Sequence, residues 1–388
     1  MRPLRIAMVC DIVPGQAGGS YISTIRFATL LRQKGHHVII IAAKDSKQKA
    51  VTSYKDIPIY QYFSLPTPGS HRYYFQSFPR KHDLCKIFKD EEIEIVHIMF
   101  PSYSCFVAKQ AAKELELPLV AHIHTQPENI FIFLPFFLKT KIVYTLILRY
   151  LVWFVRGARQ IICPSELGKN IYQKLDPSLP ISVISNGINL LEFHQTDIRP
   201  FIKKYNLPES QKHILFVGRF TEEKDTETLL RAMPEILRND FSVHLDLIGT
   251  GPLEEKLKTL SQTLGIRDAV SFLGKVSDED LLAAYNLCTL FVLPSKVELE
   301  GMVVLEAMAC GKPILIANSE TSASKYFVHN NGLLFEPGNH HDLAIKALKI
   351  LGDNRLRIEM EKEGLLNVQN YDIHKSIGKL EEIYYSVL

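Results

Sequence analysis

The chain has 388 residues, of which 46% are hydrophobic and 22% charged. At about 100–200 residues per domain that is the length of two domains, too rich in core-forming residues for a disordered chain. Its 45 Lys and Arg stand against 42 Asp and Glu, a net charge of +3 that gives no support to nucleic-acid binding. No short period or self-similar block recurs, which excludes a collagen, a coiled-coil rod and a solenoid.

The first apolar run, Ile6–Cys10, ends at Asp11 and is too short for the core of a signal peptide, so it reads as a first strand. No stretch offers the ~18 uninterrupted apolar residues of a membrane span. The six cysteines form no CxxC pair, and Cys10, Cys163 and Cys288 lie in or beside apolar runs, as buried free thiols of a reducing compartment do. The expected location is the cytoplasm, peripheral on the cytoplasmic face of the membrane.

After Ile6–Cys10, short apolar runs recur at His37–Ala42, Ile93–Ile98, Leu119–His122, Gln160–Cys163 and Ile181–Ile184. Amphipathic stretches such as Ile22–Lys34 and Tyr103–Glu114 lie between them. A second series follows at His213–Val217, Val243–Ile248, Val270–Leu273, Leu290–Leu293 and Pro313–Ile316. Strand–helix alternation predicts parallel sheets with right-handed crossovers, covered by helices on both faces. Two such series predict two doubly wound domains. The polar run around 190–212, with two prolines, reads as the linker between them. The expected division is 1–195, 196–370 and a terminal helix, 371–388, returning toward the first domain. Open parallel sheets bind ligands beyond the carboxyl ends of their strands, which directs attention to a cleft between the two domains.

Four segments carry chemistry. Pro14–Ser20 turns the first strand into a helix through Gly15, Gly18 and Gly19, where a phosphate can approach the helix N-terminus. The spacing is not GxGxxG, so a nicotinamide cofactor is not indicated. In the second series Arg219 follows a strand and Lys224 stands five residues on, two cations able to neutralise a diphosphate leaving group. The segment Pro294–Pro313 holds Glu298 on a loop and Glu306 on an otherwise apolar helical face, where a carboxylate needs a polar partner. His122 and His124 point to one side of the fourth strand by period two.

Glu298 and Glu306, seven residues between them, followed by Ala307-Met308-Ala309-Cys310-Gly311-Lys312-Pro313, resemble the signature of the family 4 retaining glycosyltransferases. Other stations of that family follow in order: Gly18-Gly19, His124-Thr125, Ser185–Ile188, Gly218-Arg219 with Lys224, and Asn331–Phe335. The resemblance implies the GT-B architecture, two Rossmann-like domains facing across a cleft, and transfer of a hexose from a nucleotide-sugar donor. It implies that Gly18 and Gly19 admit the donor diphosphate, that Arg219 and Lys224 bind it, and that Glu298 contacts the sugar. It further implies that Gly301, Met302 and Val303 present amides, that Glu306 holds the ribose, that Lys275 and Val276 pack against the base, and that a histidine beside sugar and acceptor is catalytic, His124 being preferred for its neighbour Thr125 and His122 the alternative. It implies no metal and no cofactor. Two positions depart from the family: Glu300 precedes Gly301, and Asp225 replaces the glycine common after the lysine.

Between Ile130 and Ser165 there is no acidic residue, and the stretch is rich in Phe, Leu and Ile. With Lys141 at 0°, Arg149, Arg156 and Arg159 fall at about 80°, 60° and 0° on a helical wheel. That stripe, with Trp153 and Tyr150 nearby, predicts a helix lying on an anionic membrane surface. A second basic–aromatic run, His71–Phe75 with Phe78, Arg80 and Lys81, occupies the same half. The expected acceptor is therefore a lipid. The wording Glu298–Glu306 is most similar to bacterial diacylglycerol glucosyltransferases, with phosphatidylinositol mannosyltransferases near. A soluble transferase acting on glycans or sugar phosphates, and a non-catalytic scaffold of the same fold, stand as the alternatives.

Overall fold

The computed structural model describes residues 2–11, 19–44, 52–54, 56–66, 75–132 and 134–388. Two compact units divide it: residues 2–186 with His374–Leu388, and Gly187–Ile373. The division falls ahead of the polar run around 190–212, which belongs to the second unit.

The first unit runs β1 (Arg5–Cys10), α1 (Gly19–Gln33), β2 (His37–Lys44), β3 (Ser53–Tyr54), β4 (Ile57–Pro66), β5 (Phe75–Ser77), α2 (Lys81–Asp90), β6 (Ile95–Ile98) and α3 (Tyr103–Glu114). It continues through β7 (Leu119–His122), α4 (Pro127–Phe131), α5 (Lys141–Val155), β8 (Gln160–Cys163), α6 (Glu166–Gln173) and β9 (Ile181–Val183). Its strands order as β3-β4-β2-β1-β6-β7-β8-β9, with β5 beside β4. All neighbours from β4 to β9 pair in parallel, and only β3 and β5 are antiparallel to β4. The strands expected from the apolar runs are present. β4 and β5 were not among them, because at the sheet edge β4 alternates buried and half-covered residues rather than forming an apolar run.

The second unit runs α7 (Arg199–Tyr205), β10 (Lys212–Val217), α8 (Thr226–Asn239), β11 (Val243–Ile248), α9 (Glu254–Thr263), β12 (Val270–Gly274), α10 (Asp278–Leu287), β13 (Leu290–Leu293), α11 (Met302–Ala309), β14 (Ile314–Ala317), β15 (Gly332–Phe335), α12 (His340–Gly352) and α13 (Asn354–Val368). Its sheet is wholly parallel, in the order β12-β11-β10-β13-β14-β15. Every residue of β11, β13 and β14 is buried, as a sheet covered on both faces requires. The polar run read as a linker holds α7, whose Phe201 and Ile202 enter this core. Leu207 joins them, and Ile198 and Tyr205 pack against the same core.

The last helix, α14 (Ile373–Ser386), packs on the first unit. Ile377, Leu380 and Tyr384 are buried. His36 Nδ1 accepts from the Leu4 amide at 3.0 Å, so its Nε2 carries the proton that is donated to Glu381 at 2.8 Å. Lys34 pairs with the same carboxylate.

At the amino ends of the second sheet, buried His213 places both ring nitrogens against acceptors: Asp246 Oδ2 at 2.6 Å and the Pro208 carbonyl at 2.9 Å. Both nitrogens must donate, so the ring is an imidazolium. Burial opposes its charge, yet the hydrogen bond and charge of Asp246 and the Pro208 carbonyl outweigh that and raise its pKa. A raised histidine stabilises fully below the unfolded value of about 6.5, and the contribution is lost as pH climbs through the folded value. Denaturant midpoints of the intact chain should therefore fall with rising pH above about 6.5, and His213→Gln should remove that part of the slope. An unchanged slope in the variant would refute the imidazolium.

Candidate active site

Three loops leave the carboxyl edge of the second sheet and meet there. The first follows β10. Gly218 donates to Ile248, Phe220 to the Thr250 carbonyl and Leu253 to the Phe220 carbonyl, so the loops after β10 and β11 are laced together. Gly249, at φ 135°, allows this: a Cβ on it would stand 1.9 Å from the Gly218 oxygen. The Gly249–Gly251 turn thus buttresses the loop that carries Arg219.

That loop ends in a short 3-10 turn, Glu222–Lys224. Arg219 Nη2 lies 3.5 Å from Glu223 Oε1, and Glu223 is buried. Lys224 Nζ pairs with Glu298 Oε1, both side chains nearly covered, at 16% and 12% exposure. Asp225 takes the left-handed conformation, φ 48°. Glycine does so without strain, whereas Asp is tolerated when local hydrogen bonds hold it. Asp225 Oδ2 accepts from Thr228 Oγ1 at 2.7 Å and pairs with Lys296 Nζ at 3.0 Å. The departure from the family pattern keeps the backbone and adds a tether to the loop after β13.

Glu298 rides on that third loop. Its amide donates to Thr321 at 3.2 Å and its carbonyl accepts from Ala323 at 2.8 Å, a parallel bridge that fixes the residue from behind. The loop closes at Gly301, φ 98°, where a Cβ would come within 2.2 Å of Ser324 Oγ. α11 starts immediately after, which sets Met302 and Val303 in its first turn. Glu306, one turn on, is 7% exposed and accepts from the Tyr285 hydroxyl at 2.9 Å. Tyr285, on α10, is fully buried, and its pKa is driven far up by burial and then by the Glu306 charge. The polar partner that Glu306 required is thus already in the protein. Sequence reading had no means to find it, since helical periodicity marks Tyr285 only as core.

Lys275 is exposed and Val276 half-buried at the carboxyl end of edge strand β12, two places from β10 in the sheet. They share the carboxyl edge of the sheet, and no hydrogen bond or ion pair among the described residues joins them to the Lys224–Glu298 pair. No group of three or more His, Cys, Asp or Glu able to hold a metal occurs among the described residues.

In the first unit, Gly19 is the first residue of α1. Gly18 lies outside the described residues, as do Pro14–Ala17 and His71–Tyr74 of the second basic–aromatic run. His122 ends β7 and His124 follows two residues later, with their rings stacked at 4.2 Å and 13°. His97 of β6 stacks on His122 at 5.6 Å and 10° and bonds through Nδ1 to Tyr384 at 2.7 Å. Burial depresses all three, His97 and His124 to about 3, so they are neutral imidazoles at neutral pH. His122 and His97 were not separated from structural histidines by the sequence, and the stacking is a tertiary fact.

α5 begins at its N-cap Thr140 and ends at Val155. Leu148, Leu151, Val152, Phe154 and Val155 are buried. Its exposed arc splits in two. Lys141 and Arg149 occupy one edge, at about 0° and 80°, and Ile142, Leu146, Tyr150 and Trp153 the other, at about 100–180°. Those four are 74%, 56%, 44% and 51% exposed, and Phe136 and Phe137 just ahead are 86% and 65%. Arg156 corrects the expected stripe. It is the C-cap, leaves the helix at ψ 137°, and donates through Nε and Nη2 to Asp176 at 3.0 and 2.7 Å. Arg159 turns inward to the Val387 carbonyl. Two cations, not four, remain on the face. No helix among the described residues is long and apolar enough to cross a membrane.

Two compact α/β units built on parallel sheets in one chain are the architecture of the GT-B glycosyltransferases. The Glycosyltransferase Family 4 model matches residues 17–191 and the Glycosyl transferases group 1 model residues 197–365. The chain belongs to the family 4 glycosyltransferases. It is 27% identical over 380 residues to alpha-monoglucosyldiacylglycerol synthase of Streptococcus pneumoniae, covering 90% of this chain and 83% of that one. Sucrose-phosphate synthase of Thermosynechococcus elongatus superposes with a TM-score of 0.80 at 21% identity, over 99% of this chain and 98% of the other. HepE of Anabaena, solved with UDP and glucose, gives 0.80 at 19% identity, over 99% and 100%.

Gly301→Ala should cost about 1–3 kcal/mol for the positive φ alone, with the Ser324 clash added. In a Ser324→Ala background only the clash should be relieved, so the denaturant midpoint recovers in part. Full recovery would show that φ carries no strain.

Proposed function

We propose that the protein is a retaining hexosyltransferase that moves a hexose, UDP-glucose being the favoured donor, to a hydroxyl of a membrane lipid such as diacylglycerol. The observation that carries the donor half is the Lys224–Glu298 pair. In the free protein each charge neutralises the other, because a lone charge so covered is costly. A diphosphate offers Lys224 a stronger partner and leaves the Glu298 carboxylate to accept from sugar hydroxyls. Arg219 adds a second cation on the same loop, Glu306 receives the ribose hydroxyls, and Gly301–Val303 bring amides at the start of α11. HepE, bound to UDP and glucose, supports a nucleotide-sugar donor by analogy of fold.

In the reaction the anomeric C–O bond to the diphosphate breaks while the acceptor oxygen forms its bond to the same carbon on the same face. The acceptor proton passes to the departing phosphate oxygen, and the cations stabilise the charge that develops. His124 stands at the acceptor side. Lys224→Met should lower the transfer rate by about 100- to 1,000-fold. Removing one partner of a covered pair also costs about 3–5 kcal/mol, so the midpoint must be measured beside the rate. Double variant Lys224→Met/Glu298→Gln should regain stability and stay inactive. Release of nucleoside diphosphate at the wild-type rate by that variant would end this reading of the site.

The acceptor half rests on the two-sided face of α5 and on the acceptor named in the pneumococcal relative. Amphipathic helices with aromatic and cationic edges bind at the bilayer interface through buried apolar area and headgroup attraction. Wild-type protein should float with vesicles containing anionic lipid, and Leu146→Glu or Trp153→Glu should abolish flotation. Lys141→Gln/Arg149→Gln should weaken it and reduce its salt dependence. A wild-type chain that stays with the soluble fraction refutes the lipid acceptor and leaves glycans or sugar phosphates.

A further inference from the structure

The outer end of the β4–β5 pair reverses the usual alternation of a half-solvated antiparallel sheet, apolar inward and polar outward. Here the serines face in: Ser64, 4% exposed, donates to the Lys44 carbonyl at 2.7 Å, and Ser77, fully buried, donates to Asp11. Phe63 and Leu65 face out, at 63% and 52% exposure, and so do Phe78, at 44%, and Tyr103 of α3, at 47%. The rings pack on one another. Phe78 lies 6.4 Å from Phe63 and 5.5 Å from Tyr103, centre to centre, and its amide donates to the Phe63 carbonyl at 3.0 Å. Gln76 of β5 accepts from the Tyr103 amide at 2.9 Å, which fixes the strand pair to the start of α3.

This patch continues into the outer arc of α5. Tyr103 and Phe106 stand three residues apart and so share a side of α3. Phe106 stacks on Trp153 at 5.9 Å and 26°, and Trp153 on Tyr150 at 6.1 Å. The three segments that build the band, 57–82, 95–113 and 129–165, contain no Asp or Glu. Lys44, opposite Phe63 in the β2–β4 register, and Arg80, two residues beyond Phe78, are exposed. A contiguous exposed apolar patch marks an interaction site. Rings beside cations, with no acid among them, suit the headgroup boundary of an anionic bilayer. A second copy suits them less, because a two-fold contact would set the same cations against each other.

We propose that Phe63, Leu65, Phe78 and Tyr103 form a second membrane-contact patch, continuous with α5, so that the first unit meets an anionic bilayer along a band of rings rather than through one helix. The band reaches the carboxyl edge of the first sheet. Ser77 is tied to Asp11, the residue after β1, and Tyr103 opens the helix after β6. Gly19 and His124 follow β1 and β7 at the same edge, where an open parallel sheet takes its ligands. A bilayer on this patch therefore lies beside the edge that a lipid hydroxyl must reach. The proposal rests on the reading of a membrane lipid as acceptor.

Trp153 is the only tryptophan, so each part of the band can carry a single reporter. The full-length wild type reads α5 through Trp153, and Trp153→Phe/Phe63→Trp reads the end of β4. The vesicles are phosphatidylglycerol and phosphatidylcholine with brominated acyl chains, which quench tryptophan on contact. Both reporters should be quenched, with emission shifted to the blue. In the Trp153 background, Phe63→Ser/Phe78→Ser should lower the vesicle partition coefficient about 10-fold. Phe63→Ser alone, at the most exposed of the four positions, should lower it in the same direction if the double variant does not fold. Quenching of Trp153 without quenching at position 63 overturns the second patch and leaves α5 as the contact. Quenching at neither position overturns the patch and the lipid acceptor together, so the two failures are separable. Emission at position 63 that shifts with protein concentration in the absence of vesicles overturns the proposal in favour of a second copy.

Discussion

Everything on the functional edge of the second unit depends on holding one lysine and one glutamate together where little water reaches them. Such a pair gains no certain stability over an apolar contact, but breaking it strands a charge. The surrounding backbone is built accordingly. Lys224 sits on a 3-10 turn locked by Asp225, Thr228 and Lys296, and Glu298 is held from behind by Thr321 and Ala323. The glycines at 249 and 301 exist because two backbones, or a backbone and a hydroxyl, come closer than a side chain permits. Cations already placed suit the proposed donor role, since ordering them at the moment of binding would cost affinity.

The two ends of that sheet divide the work. At the amino ends, His213 and Asp246 form a buried pair satisfied on every nitrogen, with His244 beside it bonded to Ser271. At the carboxyl ends the charged pairs reach the surface in part, as in Lys224–Glu298 and Arg219–Glu223. Parallel strands make this asymmetry, because the carboxyl ends of β10, β11, β12 and β13 all open onto loops that precede a helix N-terminus.

The first unit uses one helix for two surfaces. The inner face of α5 lines a small cavity with Ala121 and Ile123 of the β7 region, while its outer arc sets aromatic and aliphatic side chains beside Lys141 and Arg149. A helix with no acid of its own has its flanking ends managed by acids outside it: Glu128 receives the Tyr144 hydroxyl and Asp176 receives Arg156. Lys109 of α3 donates to the Phe154 carbonyl at the C-terminal end of α5 and stands 5.8 Å from the centre of the Trp153 ring.

The order of strands and helices was written in the sequence, because a sheet buried on both faces demands unbroken apolar runs and β10, β11, β13 and β14 supply them. The placement of Arg219, Lys224 and Glu298 on loops beyond strand ends was legible too, since charged residues after such runs stand at strand ends. β4 was not, because near the sheet edge it mixes buried with half-covered residues instead of forming an unbroken apolar run. Arg156 was assigned to a stripe that assumed the helix went on, and only its cap geometry and Asp176 removed it. Tyr285 under Glu306, the ring stack running from Tyr384 to His124, and the return of α14 to the first unit join residues far apart in the chain. Contacts of that kind arise when separate elements pack, so local pattern carries no trace of them.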